Sequence, residues 1–218
     1  SDEMTHLLRF WNQWEPDFFI DTHSTNGGDY QYVMTYMLET PRENDGELSR
    51  WAEDVFLPTW KDHLESHGYP VFEYVTYRRW HDPRSGLYSG ISPPALSTGY
   101  AAQRNRTGLL LETHMLKSYQ QRVSSTYETL RFSLNFLAKN QNIVRDLNRT
   151  ADSLTAANSF RDNPFTLSWK NTHDSIMIEF RGVDYQIKKS SLSGGDWFIY
   201  DAETPRTYLL PWYRDQIP

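Results

Sequence analysis

The sequence contains no cysteine, so neither a disulfide nor a thiolate metal site can hold it together. That absence leaves the compartment open; export is favoured over the cytoplasm, because exported domains often do without cysteine. No apolar run approaches the ~20 residues that a membrane-spanning helix needs. No Lys/Arg run is long enough to follow a phosphate backbone, and the net charge of −6 is mixed along the chain, which argues against nucleic acid as a partner. No serine sits in a Gly-x-Ser-x-Gly elbow, which leaves a hydrolase built on Ser24 poorly supported. Internal repeats and low-complexity segments are absent, and Ser1 to Met4 show no signal-peptide pattern.

Aromatic residues are what the chain has in abundance. Hydrophobic residues make up only 38% of the 218 positions, yet 8 Trp, 14 Tyr and 11 Phe supply enough large side chains for a sizeable core. The composition is that of a folded chain.

Two short apolar runs, Asp17 to Thr22 and Gly108 to Glu112, read as buried strands. The first ends next to His23 and Ser24, and Thr25 to Asp29 follow as a Gly-rich loop. Thr5 to Trp14 reads as a helix stopped before Pro16. Leu48, Trp51, Val55, Phe56, Trp60 and Leu64 have helical spacing; Pro58 is expected to kink that helix and Gly68 to end it. Val71 to Tyr77 reads as a strand, and His81 to Ser97 as a long surface loop. Beyond the second apolar run, Leu116, Tyr119, Val123, Tyr127, Leu130, Leu134 and Leu137 mark an amphipathic helix. The stripe resumes at Val144 and runs to Leu154, giving one long helix or two consecutive ones. Alternation then takes over at Phe165, Leu167 and Trp169, at Ile176, Ile178 and Phe180, and at Val183, Tyr185 and Ile187. Arg181-Gly182 reads as the hairpin turn between the last two runs. A boundary is expected near Asn158 to Pro164.

Helices alternating with apolar strands predict an α/β fold with a largely parallel sheet, whose sites lie outside the carboxyl ends of the strands. If the two apolar strands run the same way, His23 and Glu112 meet in one cleft. A neutral imidazole can ligate zinc, and a carboxylate beside it can take a proton from water. The alternative is a strand-end His that caps a loop and a strand-end Glu that meets a helix terminus. Asp21 can orient His23 or form a salt bridge elsewhere. His114 shares a strand face with Glu112 and is expected to be packed or solvated. Arg104 and Arg106, just before the second strand, could meet an anionic substrate group or be merely solvated; His81 and Asp82 could pair but have no evident role. The aromatics of the C-terminal stretch suit core packing better than a sugar platform.

The stretch Pro16 to Tyr32, PDFFIDTHSTNGGDYQY, resembles the part of M14 zinc carboxypeptidase-like proteins where a strand delivers the last zinc-binding His. Ser97 to Val123, STGYAAQRNRTGLLLETHMLKSYQQRV, is similar to the segment that carries their catalytic Glu. The resemblance covers roughly Leu7 to Leu154. It implies His23 as a zinc ligand, Glu112 as general base, and Tyr100 as a substrate contact. It also implies hydrolysis of peptide or amide end groups. The family's His-x-x-Glu motif does not occur in this chain, so the zinc site is expected to be incomplete. Either an N-terminal half precedes these residues or the site has been lost. The expected architecture is the C-terminal half of a zinc-carboxypeptidase-like mixed sheet with flanking helices over 1–157, followed by a small antiparallel β unit over 158–218. Exposed sheet edges would then invite self-association. The competing reading is a non-catalytic peptide- or glycan-binding module on a degenerate peptidase fold.

Overall fold

The computed structural model describes every residue except 26, 42–45, 80, 81, 163, 167, 168, 215 and 218. Helix α1 (Asp2–Trp14) leads into β1 (Phe18–Thr25) and β2 (Met34–Glu39). Next come α2 (Glu47–Trp51), a π-helical turn over Ala52–Phe56, and α3 (Leu57–Ser66). Strands β3 (Val71–Glu73), β4 (Thr76–Arg79) and β5 (Asp82–Tyr88) precede α4 (Ser97–Gln103) and β6 (Thr107–His114). Helices α5 (Tyr119–Lys139), α6 (Gln141–Ala156) and α7 (Asn158–Arg161) follow. The chain closes with β7 (Lys170–Asn171), β8 (Ile176–Lys189), β9 (Asp196–Tyr213) and β10 (Gln216–Ile217).

The protein is α/β, with two mixed four-stranded sheets and flanking helices. The first sheet has the order β1-β6-β2-β3, the second β4-β5-β9-β8. In the first sheet β1 runs parallel to β6, and β2 parallel to β3, but β2 is antiparallel to β6. The sheet is therefore mixed where the apolar runs suggested a largely parallel one.

One face of this sheet carries Ile20, Met34, Leu109 and Leu111. It packs against Phe56, Trp60 and Leu64, three side chains without solvent exposure. The helix that carries them is continuous through Pro58. Pro58 has no N–H to return to the carbonyl four residues back, and the wide π turn just before it absorbs the missing bond. Gly68, at φ 80°, takes the left-handed position that ends the helix as expected.

A second core joins the two sheets. Tyr30 and Tyr32 from the loop after β1 pack with Leu87, Phe180, Leu210 and Trp212. The run expected as one strand from Val71 to Tyr77 passes from the first sheet to the second at Tyr74 and Val75. The expected loop from His81 to Ser97 contains β5; His81 itself lies outside the described residues, and Asp82 pairs with Arg84 at 2.8 Å. The C-terminal strands extend the sheet begun by β4 and β5, with Leu87 opposite Trp212 in a parallel pairing.

Two further expectations are corrected. Arg181-Gly182 is not a turn but lies inside the 14-residue β8, and the chain reverses at Ser190 to Gly195 instead. Just beyond Gly182 the pairing slips: Val183 pairs with Pro205 while Asp184 pairs with Asp201, so the extra residues lie on β9 and β8 runs on unbroken. The apolar positions of β8 change from even to odd numbers at the same point, which in sequence looks like the end of one strand and the start of another. Helix α5 begins at Tyr119, past the first residue of the expected stripe, because a capping box between Ser118 and Gln121 fixes its start; it is also rotated. Ser125, Thr129 and Ser133 face the core, while Tyr119 and Leu134 keep 75% and 71% of their surface exposed. Among the described residues no helix is long and apolar enough to cross a membrane.

Truncating Phe56 to Ala should open a cavity under the sheet and lower stability by roughly 3–5 kcal/mol. Urea denaturation followed by tryptophan fluorescence measures this, and a loss under about 1 kcal/mol would contradict the placement of the core.

Candidate active site

Strands β1 and β6 pair in register from Phe18 with Thr107 to Thr25 with His114, which sets His23 directly beside Glu112. Registered residues of parallel neighbours point to the same face. Since Ile20, Leu109 and Leu111 occupy the helix-packed face, Asp21, His23 and Glu112 share the other one. His23 and Glu112 each stand two residues before the end of their strand rather than at its tip.

Asp21 and His23 are joined through Asp21 Oδ1 and His23 Nε2 at 3.0 Å. With the Nε2 proton donated to the carboxylate, the lone pair of His23 is on Nδ1. Asp21 also accepts a hydrogen bond from the hydroxyl of Ser97, at the start of α4. Burial pushes the Asp21 carboxyl up, but the hydrogen bonds from Ser97 and His23 outweigh it and hold the group below the usual carboxylate range.

Glu112 has the opposite balance. Burial raises its carboxyl; His23 opposes that rise and Asp21 adds to it, and the net shift is upward. Its Oε2 is shielded from water and makes no hydrogen bond. A buried carboxylate oxygen without a partner is costly, and such groups are often kept for chemistry. Opposite Glu112 on β2 stands Thr35. Around it lie Tyr30 and Tyr74, whose phenols are pushed up mainly by burial, with the Glu112 charge contributing.

The loops that frame this face are pinned. Lys117, just after β6, donates to Asp29 Oδ1 at 2.9 Å and to the carbonyl of Tyr30. Both side chains of the Lys117–Asp29 pair are largely buried. His114 is fully buried; its Nε2 donates to the carbonyl of Gly28 at 2.9 Å and its Nδ1 accepts from the Leu116 N–H at 3.1 Å. It is a packed histidine, as expected, and ties the two loops rather than lining a pocket. A side chain at Gly28 would collide with Tyr77 and Tyr200 at 2.4 and 2.5 Å, so glycine is required there.

Other sequence candidates fall elsewhere. The ring of Tyr100 lies edge-on against Trp11, 5.5 Å between centroids. Arg104 caps the end of α4 before β6 begins and lines a cavity of about 290 Å³ with Trp11, Glu15 and Asp152. Five steps of extended strand take the chain from Thr107 to Glu112, a span of roughly 16 Å. Arg104 is therefore at the wrong end of the strand to share a substrate with Glu112. Arg106 is structural: it forks onto Asp152 at 3.0 and 3.1 Å and caps the carbonyl of Pro16. The Ser24 hydroxyl is held by Thr113 at 3.2 Å. Ser97, Thr35 and Lys117 went unnoticed in the sequence, because nothing local marks residues that meet the site only across the sheet.

The fold and this face define an α/β protein with a histidine–carboxylate pair on one strand and a desolvated glutamate on its neighbour. Scanned against protein-family models, curated proteins and solved structures, the chain matches none of them.

A raised carboxyl pKa in the folded state means that ionising Glu112 costs stability, and the cost grows as pH rises from the unfolded value near 4.5 through the folded one. Glu112→Gln should therefore be more stable than the unmodified protein at pH 7, with the gain vanishing below about pH 4. Urea midpoints at the two pH values test this; a variant less stable at pH 7 would refute the desolvated environment.

Proposed function

We propose that this chain carries the His23 and Glu112 half of a zinc-dependent hydrolase site for peptide or amide end groups, similar to that of the M14 carboxypeptidases. What carries the reading is the in-register pairing of His23 with Glu112, combined with the bond from His23 to Asp21. The residues fit a zinc ion as far as they go. A metal-ligating His usually donates its second ring N–H to a carboxylate, as His23 does, and that leaves Nδ1 for the metal. When bound, zinc supplies Lewis acidity and lowers the pKa of a coordinated water.

The chain's own residues have distinct tasks in this reading. Asp21, anchored by Ser97, fixes the tautomer and plane of His23. Glu112, with a raised pKa and an oxygen free of protein partners, accepts a proton from water and returns it to the leaving amine. Tyr30 and Tyr74 keep their protons and so leave the anionic role to Glu112.

One histidine is too few for a catalytic zinc, which takes three protein ligands. The remaining donors must arrive beside β1. That strand is an edge, and among the described residues no other strand pairs with its outer side. Beside it runs a groove of about 470 Å³ lined by His23, Tyr119, Val123, Tyr127 and Leu130. This uncovered apolar face of α5 suits further structure docking against β1, and it also explains why the helix turns its polar row inward. In the absence of such a complement the same face favours self-association.

Zinc titration followed by NMR at the imidazole of His23 tests the ligand assignment. Weak binding that perturbs His23 and is lost in His23→Ala is expected; Asp21→Asn should weaken it by about 10-fold or more. No response of His23, or tight one-to-one binding that depends on it, would overturn the incomplete-site reading. Expressed with any coding sequence that precedes residue 1, the protein should cleave N-acyl peptides. Glu112→Gln should then lower kcat by about 10²–10⁴-fold while peptide binding persists. A protein that binds peptide but never cleaves it would instead be a binding module on this fold.

A further inference from the structure

A second group of metal-ligating side chains lies away from the sheet face just described. His63 and His67 stand one turn apart at the C-terminal end of α3, and Glu128 faces them from α5. One ligand atom from each lies within 4.8 Å of the other two. The Nε2 of His63 is 3.3 Å from Glu128 Oε2.

The surroundings of these side chains prepare them for coordination. A backbone carbonyl can only accept, so the 2.7 Å contact of His67 Nδ1 with the carbonyl of His63 puts the proton on Nδ1 and leaves the Nε2 lone pair available. That is the usual arrangement of a ligating histidine, whose other ring N–H is spent on a carbonyl or carboxylate. The ring of His63 is held against Phe132 at 4.8 Å and 32°. Glu128 is in turn hydrogen-bonded by Arg131 at 2.6 and 3.0 Å, as ligating carboxylates commonly are. A simple ion pair with Glu128 needs only one imidazole. The second lies with its centroid only 4.2 Å from the first, close enough for both rings to ligate one ion.

From this geometry we propose that His63, His67 and Glu128 form a transition-metal site that clamps α3 to α5. Two imidazole nitrogens and one carboxylate oxygen select zinc, copper(II) or nickel(II) over magnesium and calcium, which take oxygen ligands. Three protein ligands leave a position for water. Because α3 carries Trp60 and Leu64 of the main core, a clamp here stabilises the helix layer over the first sheet. This site is independent of His23.

Isothermal titration with zinc chloride, performed on the His23→Ala variant, separates the two sites. One zinc per chain is expected to bind, with no heat from magnesium or calcium at the same concentration. His67→Ala, at an exposed helix end, and Glu128→Gln should each weaken zinc binding by about 10-fold or more. Zinc should raise the Tm of the unmodified protein and of His23→Ala, but not of His67→Ala. Zinc binding unchanged in His67→Ala, or absent once His23 is replaced, would overturn the proposal.

Discussion

The structure depends on the in-register parallel pairing of β1 with β6. A slip of one residue would turn Glu112 to the face packed by helices and carry Leu111 out of the core. The register is fixed at both ends. At the start, Arg106 bridges from Pro16 to Asp152 of α6, and Gly108 lies so close to Thr98 of α4 that a side chain would touch it at 3.0 Å. At the far end, Lys117 holds Asp29 and His114 holds Gly28, so the loops leaving the two strands are tied together. Between them the helix-packed face buries Leu109 and Leu111 almost completely. Apolar packing on one face thus positions polar chemistry on the other.

That chemistry is maintained at some cost. Glu112 is desolvated without a partner for one oxygen, whereas Asp21, on the same face, is satisfied by Ser97 and His23. Two carboxylates on one face are driven in opposite directions: burial raises Glu112, whereas at Asp21 the hydrogen bonds from Ser97 and His23 outweigh it. Helix α5 shows a similar imbalance. Its small polar row, Ser125, Thr129 and Ser133, lets the helix approach the sheet closely, and the larger apolar residues are left beside the edge of β1.

Much of this was legible in the sequence. The two apolar runs marked β1 and β6, the spacing from Leu48 to Leu64 marked the helix over the core, and the alternation of Asp21 with Phe19 put Asp21 on the face of His23. Local pattern misled where its phase was altered by tertiary structure. The bulge at Val183 and Asp184 looked like a turn, and the stripe on α5 looked like a core face. The loop that was expected around Gly86 became β5 only because β4 and β9 pair with it.

By itself the sequence determined that the two apolar runs are strands and that the stretches around Thr5 to Trp14 and Leu48 to Leu64 are helical, because periodicity and chain stiffness are local properties. It also determined that His23 and Glu112 each lie near the end of an apolar strand. Only the tertiary structure decided that those strands are neighbours running the same way, that Ser97 reaches Asp21 from 76 residues away, and that Glu128 meets His63 and His67. Such contacts arise from long-range packing, which brings together side chains that no spacing along the chain relates.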